Sequence, residues 1–356
     1  MDLAVTASGS SPDTMTSRLT FGIPRCLCAM AAFCFCLFNA AEPAWPAERA
    51  AELLKTMGNG VNILGYDGIW DGHRDSPFRL GSLRRIRDAG FRHVRINLFA
   101  FGRMDSEHHL NPQTLQALDD VVEQAILAGL IPVIDEHDAE ECQATPNSCA
   151  EKLRAFWSQI SRRYADRYRS VVYEILNEPG GNMDREQWNA LAIEVLKIIR
   201  NVDADRVIVV AALNSDDPED MQAIDVPVND RNIILTVHYY KPFVFTHQGA
   251  PWTELKKSRD VRWGSQSDQD AVRNDFAAIG RWARGRPVYL GEFGVYEKAG
   301  ISSRARYLSF IAQSAEQEGW AWACWQFDHD FALFDEENNR WLAPLLRALV
   351  PHASTQ

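Results

Sequence analysis

Val171-Val172-Tyr173-Glu174-Ile175-Leu176-Asn177-Glu178-Pro179 and, far downstream, Val288-Tyr289-Leu290-Gly291-Glu292-Phe293-Gly294 share one design. Each is a short run of β-branched, aliphatic and aromatic residues with a carboxylate at or near its end, just before a proline or glycine. Continuous apolar runs of this length, bounded by turn residues, read as strands buried on both faces. Six further runs have the same character, at residues 60–64, 93–98, 130–135, 207–212, 233–240 and 321–327. Helical patterns separate them. Asn111-Pro112 caps a stretch with Leu115, Leu118, Val122, Ala125 and Ile126 on one face, ending at Gly129. Asp184 followed by Gln187 has the form of a capping box ahead of Leu191, Val195 and Ile199. Strands alternating with helices in this number predict a (β/α)₈ TIM barrel forming a single domain. A doubly wound open sheet is the alternative, but its glycine-rich loop should follow the first strand, and Gly58-Asn59-Gly60 precedes it.

The bulk composition narrows the function. With 356 residues, 46% hydrophobic and 24% charged, the chain can bury a full core as a soluble globular protein. A net charge of −11 excludes a nucleic-acid partner, because phosphate binding needs a basic surface. It suits a neutral ligand such as a polysaccharide. Eleven tryptophans exceed ordinary use. Most should be core, while Trp70, Trp252 and Trp263, in predicted loops, are candidates for stacking on sugar faces.

Residues 26–38 are apolar and uncharged, follow Arg18 and Arg25, and precede Ala40, Ala41 and Ala44. The run is too short to span a bilayer comfortably, and the pattern is that of a secretory signal peptide. We therefore expect a leader over residues 1–41, a catalytic domain over 42–356, and a secreted or periplasmic monomer with no stable membrane partner. Initiation at Met15 would give a cleaner leader. Four of the seven cysteines (Cys26, Cys28, Cys34, Cys36) fall in it. Cys142 and Cys149 bracket a turn-rich loop that a local disulfide can close, and Cys324 sits in an apolar run as a buried thiol. No cysteine or histidine pattern has zinc spacing, and Asp135-Glu136-His137-Asp138 lacks a second histidine at ligand distance. No metal and no cofactor are expected.

The remaining chemistry-bearing residues gather at strand ends. Arg95 is on the second strand, His137 follows the third, and Asn177 and Glu178 end the fourth. His238 and Tyr240 end the sixth, Glu292 the seventh, and Trp325 is on the eighth. In a parallel barrel these ends form one face, so the two acids would share a pocket. Two such carboxylates are what a retaining glycosidase needs, one to protonate the leaving oxygen and one to attack the sugar carbon.

This set resembles glycoside hydrolase family 5, the large cellulase family, and the likeness extends over essentially all of the chain after the leader. The resemblance implies that Glu178, in Asn-Glu-Pro, is the acid/base, and that Glu292, in Gly-Glu-Phe-Gly, is the nucleophile. It implies that Asn177 binds the sugar 2-hydroxyl and that Arg95 and Tyr240 hold the nucleophile. His137 and His238 would line the catalytic subsite over Trp325 as aromatic floor. The stretch from Tyr240 to Trp252 is similar to a loop of bacterial members with β-glucanase activity. Val61-Asn62-Ile63-Leu64-Gly65-Tyr66-Asp67-Gly68-Ile69-Trp70 departs from the family's commoner wording, so the resemblance does not fix the walls of the first sugar subsites. The Arg95 guanidinium and Tyr240 hydroxyl should favour an ionised Glu292, and the carboxyl groups should stand about 5–5.5 Å apart. Glu174 shares the strand face of Glu178 as a barrel-interior acid without an assigned role.

The expected activity is that of a retaining endo-β-1,4-glucanase acting on soluble or amorphous β-linked polysaccharide or oligosaccharide. The alternatives are a β-mannanase or exo-acting β-glucanase on the same site, or a non-catalytic sugar-binding barrel.

Overall fold

The computed structural model describes residues 49–72, 76–165, 167–214 and 218–353. The expected leader lies outside them. Eight parallel strands close into a barrel in sequence order: β1 (Asn59–Ile63), β2 (His93–Leu98), β3 (Ile131–Glu136), β4 (Val172–Glu174), β5 (Ile208–Ala211), β6 (Ile233–His238), β7 (Val288–Glu292) and β8 (Ala321–Cys324). β8 pairs back onto β1, so no edge is left open. Each strand falls where its apolar run predicts. The fourth is shorter than its run, because the sheet ends at Glu174 and the chain turns out over the barrel mouth before Asn177 and Glu178.

The helices are α1 (Arg49–Met57), α2 (Ser82–Asp88), α3 (Pro112–Leu127), α4 (Ala139–Ala144), α5 (Pro146–Tyr164), α6 (Arg185–Arg200), α7 (Phe243–Thr246), α8 (Gln266–Trp282), α9 (Ile301–Gln317) and α10 (Ala343–Leu349). The expected caps are formed. The Asn111 side chain accepts from Gln113 N–H with Pro112 at the first helical position, and Asp184 and Gln187 cap each other's backbone. Among the described residues no helix is long and apolar enough to cross a membrane.

The core has two layers. The outer one lies between the sheet and the helices, where residues such as Val121, Trp157, Leu196 and Ile311 are buried against the barrel's outer face. The inner one fills the lower barrel with Val133, Val172, Val209, Ile234, Tyr289 and Ala323, and Ala50, Leu54 and Met57 of α1 close it from below. One polar residue enters this floor. His93 Nδ1 lies 3.0 Å from the Met57 carbonyl and Nε2 lies 3.1 Å from the Tyr289 hydroxyl. Burial lowers its pKa to about 4, so it is neutral. Its ring occupies the space that any β-carbon at Gly60 would need, 2.3 Å away. The Cys142–Cys149 disulfide is formed and joins α4 to α5. Cys324 is a buried free thiol whose pKa burial raises.

Candidate active site

Above the apolar floor the inward positions become polar: Asn62 on β1, Arg95 on β2, Asp135 on β3 and Glu174 on β4, all fully buried. Period-two alternation places each of them on the inner face, one step above Gly60, His93, Val133 and Val172 of the floor. Arg95 organises them. Its Nε and Nη2 donate to the two oxygens of Glu174 at 2.7 and 3.0 Å. Nη2 also donates to Asn177 Oδ1 at 2.9 Å and lies 3.0 Å from Asp135 Oδ2. Nη1 donates to Glu292 Oε1 at 2.6 Å and to Asn62 Oδ1 at 3.0 Å. Glu174, which the sequence leaves without a role, is thus the bidentate counter-ion that fixes the guanidinium plane.

One cation faces three acids in a dry interior, and the pKa shifts follow from that imbalance. Burial raises Glu174, against the pull of Arg95. Burial takes Asp135 to about 7, again opposed by Arg95. His137 supplies no balancing charge, because burial first and Arg95 second lower its pKa to about 3. Its neutral ring packs with Nδ1 2.5 Å from Asp135 Oδ2.

Glu292 ends β7 with both oxygens engaged, Oε1 by Arg95 and Oε2 by the Tyr240 hydroxyl at 2.8 Å. A register shift between Val237 and His238 sets His238 opposite Glu292 across the β6–β7 pair. His238 Nδ1 lies 2.6 Å from Glu178 Oε1 and 3.7 Å from Glu292 Oε2. One carboxylate oxygen of Glu178, one of Glu292 and a ring nitrogen of His238 all lie within 4.8 Å of one another. Those three side chains could reach a common cation. Their donor atoms, however, are already committed to each other, to Tyr240 and to the Arg95 charge, a set that suits handling protons better than ligating a metal. Arg95 and His238 pull Glu292 toward its ionised form, but enclosure outweighs them and its pKa stands above the ordinary value. Glu178 keeps 31% of its side chain open to the cleft. Desolvation by the surrounding walls, with help from Asp135 and Glu174, still raises it to about 7.

The acids lie at the base of a cleft of about 340 Å³ that also takes in Asn177, His137, Tyr240, Trp325 and Trp252. Trp325, joined to Gln326 by a cis peptide, stacks parallel to His137 with ring centres 5.6 Å apart. Trp252 stands half exposed at the rim, edge-on to Tyr296. His238 lies behind the acids rather than on the cleft wall.

Trp70 corrects the sequence reading. It is 1% exposed, lies in a 3₁₀ turn (Gly68–Asp71) and packs in the outer core, where its carbonyl accepts from Thr114 of α3. The Asp67 side chain caps that turn at Ile69 N–H and rolls the indole inward. Trp263 is likewise buried, edge-on to Tyr307. The exposed aromatic rings on the cleft that the sequence did not single out are Tyr66, 65% exposed and stacked near Phe99, and Phe243, lying over His247 at 3.8 Å. Their only sequence signal was a position just past a strand end, which Trp70 shares.

A closed parallel barrel with two adjoining carboxylates at its C-terminal rim is the architecture of a glycoside hydrolase. The sequence matches the family described as Cellulase (glycosyl hydrolase family 5) over residues 54–330. It is 27% identical to Endoglucanase H of Acetivibrio thermocellus, with 84% of this chain but only 33% of that protein aligned. It is 24% identical to Endoglucanase C of the same organism, covering 78% of this chain and 93% of that one. The fold superposes on Thermotoga maritima Cel5A in complex with mannotriose with a TM-score of 0.80 and 35% identity, over 85% of this chain and all of that one. The same protein in complex with cellobiose gives a TM-score of 0.79 and 34% identity over 85% of this chain and all of that one. The chain belongs to glycosyl hydrolase family 5, the cellulase family.

Proposed function

We propose that this protein is a retaining endo-β-1,4-glucanase in which Glu292 is the nucleophile and Glu178 the acid/base. The observation that carries the reading is the closeness of the two carboxylates, within 4.8 Å at their nearest grouping with His238. Oxygens this close favour the retaining arrangement, whose carboxyl groups stand about 5–5.5 Å apart, over the inverting one at about 6.5–9.5 Å. Glu292, with donors on both oxygens, attacks the anomeric carbon as the glycosidic C–O bond breaks. Glu178, protonated at a pKa of about 7, passes its proton to the departing oxygen. The ester to Glu292 removes one negative charge beside Glu178, which favours the carboxylate left by that proton transfer; this carboxylate takes a proton from water as the water attacks the same carbon and the bond to Glu292 breaks. Asn177, its Oδ1 held by Arg95, offers its amide N–H to the sugar 2-hydroxyl, and Trp325 with His137 forms the wall of the catalytic subsite. Tyr240 positions Glu292, His238 positions Glu178, and Trp252 is a stacking surface at the rim.

β-Mannan is the second substrate favoured, since a neighbour at 35% identity is described with mannotriose and also with cellobiose. Reducing-sugar release from soluble cellulose, glucomannan and β-1,3-glucan tests the assignment. Release from the first with a rapid fall in viscosity supports endo-glucanase action, and release from none of them would leave a sugar-binding barrel. Proton NMR of the first-formed sugar should show the β anomer; an α product would refute retention. We also propose export through residues 1–41. Sequencing the N-terminus of the exported protein tests this, and a mature chain retaining residues 1–25 would refute it.

A further inference from the structure

Glu178 is an unusual place to hang a proton donor. Its φ is +37°, a left-handed conformation that strains a non-glycine residue and persists only where neighbours impose it. Asn177 N–H donates to the Glu136 carbonyl at the end of β3 at 2.8 Å and the Pro179 carbonyl accepts from Asn214 N–H at 2.7 Å, but the contacts to the backbone of Glu178 itself and to the end of its loop come from outside the barrel strands. Gln143, in the short helix α4, donates from Nε2 to the Glu178 carbonyl at 3.0 Å. Its own carbonyl accepts from Asn182 N–H at 2.8 Å, and the adjacent Ala144 carbonyl accepts from Asn182 Nδ2 at 3.1 Å. Between these contacts Gly181, at φ +64°, runs so close that an added β-carbon would stand 2.6 Å from Gln143 Cβ. The loop carrying Glu178 is thus pinned at both ends to two residues of α4.

Six residues do not make a helix that holds itself together. α4 is secured at the residue next to Gln143, where Cys142 is bonded to Cys149 in α5, and both cysteines are fully buried. α5 is in turn anchored to the barrel below the same loop, since Trp157 Nε1 donates to the Ile175 carbonyl at 2.9 Å. The disulfide therefore closes a circuit from the barrel through α5 and α4 back to the backbone of Glu178.

We propose that Gln143 is a positioning residue for Glu178, and that the Cys142–Cys149 disulfide holds Gln143 in register for that task. The inference rests on the reading of Glu178 as acid/base. A misplaced acid should slow bond breaking in proportion to how much the leaving group needs a proton. A displacement near 1 Å can cost about 100-fold in rate.

The test compares kcat/KM, which reports the first chemical step, for unactivated cellotetraose and for a dinitrophenyl cellobioside whose leaving group needs no proton. Gln143→Ala and the double variant Cys142→Ala/Cys149→Ala should lose about 10- to 100-fold on cellotetraose and less than about 3-fold on the activated substrate. The alkaline limb of the cellotetraose pH profile should also move in Gln143→Ala. Equal losses on the two substrates, or no loss on either, would overturn the positioning role. Should the double variant fail to fold, as thermal melting would reveal, Gln143→Ala decides alone. Glu178→Gln is measured alongside: if it keeps its cellotetraose activity, the acid/base reading itself has failed. If it loses that activity while the Gln143 variant keeps it, only the present inference has.

Discussion

The lower and upper halves of the barrel interior are built from the same strands but on opposite principles. Below, Val133, Val172, Ile234, Tyr289 and Ala323 pack under the closure of α1, and the single histidine there is neutral and bonded at both nitrogens. Above, one arginine is surrounded by Glu174, Asp135 and Glu292, and every acid in the set has its pKa pushed upward by burial. The floor supplies stability through area removed from water. The roof spends stability to hold charge where chemistry needs it, as buried ion pairs generally do.

This contrast can be broken at either end. The largest effect should come from Glu292→Gln, which removes the proposed nucleophile and should lower kcat/KM at least about 10⁴-fold with little change in melting temperature. A lysate-free preparation with a matched circular dichroism spectrum makes that comparison clean, and residual activity within tenfold of wild type would refute the role. Glu178→Gln should cost about 10²- to 10⁴-fold on unactivated glucan. Because burial raises Glu178 to about 7, its active protonated form is lost as pH rises through that value. The wild-type profile should therefore fall on the alkaline side with a midpoint near 7, and a profile flat to about pH 9 would contradict the assignment.

Arg95→Met sharpens the comparison on the stability side. Removing the cation leaves Glu174, Asp135 and Glu292 facing each other in a dry site, at a cost of about 3–5 kcal/mol. The sign of its pH dependence follows from linkage. Acids whose folded pKa is raised bind more protons folded than unfolded, so they destabilise the fold as pH climbs above their unfolded values. The deficit of Arg95→Met in urea unfolding should accordingly widen between about pH 5 and pH 8; a constant deficit would argue against uncompensated charge. Ile234→Ala, in the floor, should cost about 2–5 kcal/mol by cavity formation, with no such pH dependence and with kcat preserved in the folded enzyme. A large fall in kcat there would erase the distinction between the halves.

Much of this was legible in the linear chain. The runs around Glu178 and Glu292 had the length and composition of buried parallel strands, and the alternation of eight such runs with helices favoured a closed barrel over an open sheet. That placed Arg95, Asn177, Tyr240 and both acids on one face. The hydrogen bonds from Arg95 and Tyr240 to Glu292 are those expected of side chains at neighbouring strand ends. Legibility failed where position along the chain did not settle direction. Trp70 and Tyr66 follow the same strand, yet an Asp67-capped turn buries one and exposes the other. Asp135 read as one member of an acidic run; alternation along β3 separates it from Glu136, and its place beside Arg95 and Asn97 of the neighbouring strand gives it a role.

Strand and helix order, the barrel, the pair of carboxylates and the cysteines able to bond locally were therefore determined by the sequence itself, because hydrophobic period and turn chemistry are local properties. The tertiary structure decided which acid serves Arg95 and which faces the cleft, how far each pKa moves, and that Gln143 reaches the backbone of Glu178. Those depend on desolvation and on contacts between residues far apart in the chain, and no single strand carries that information.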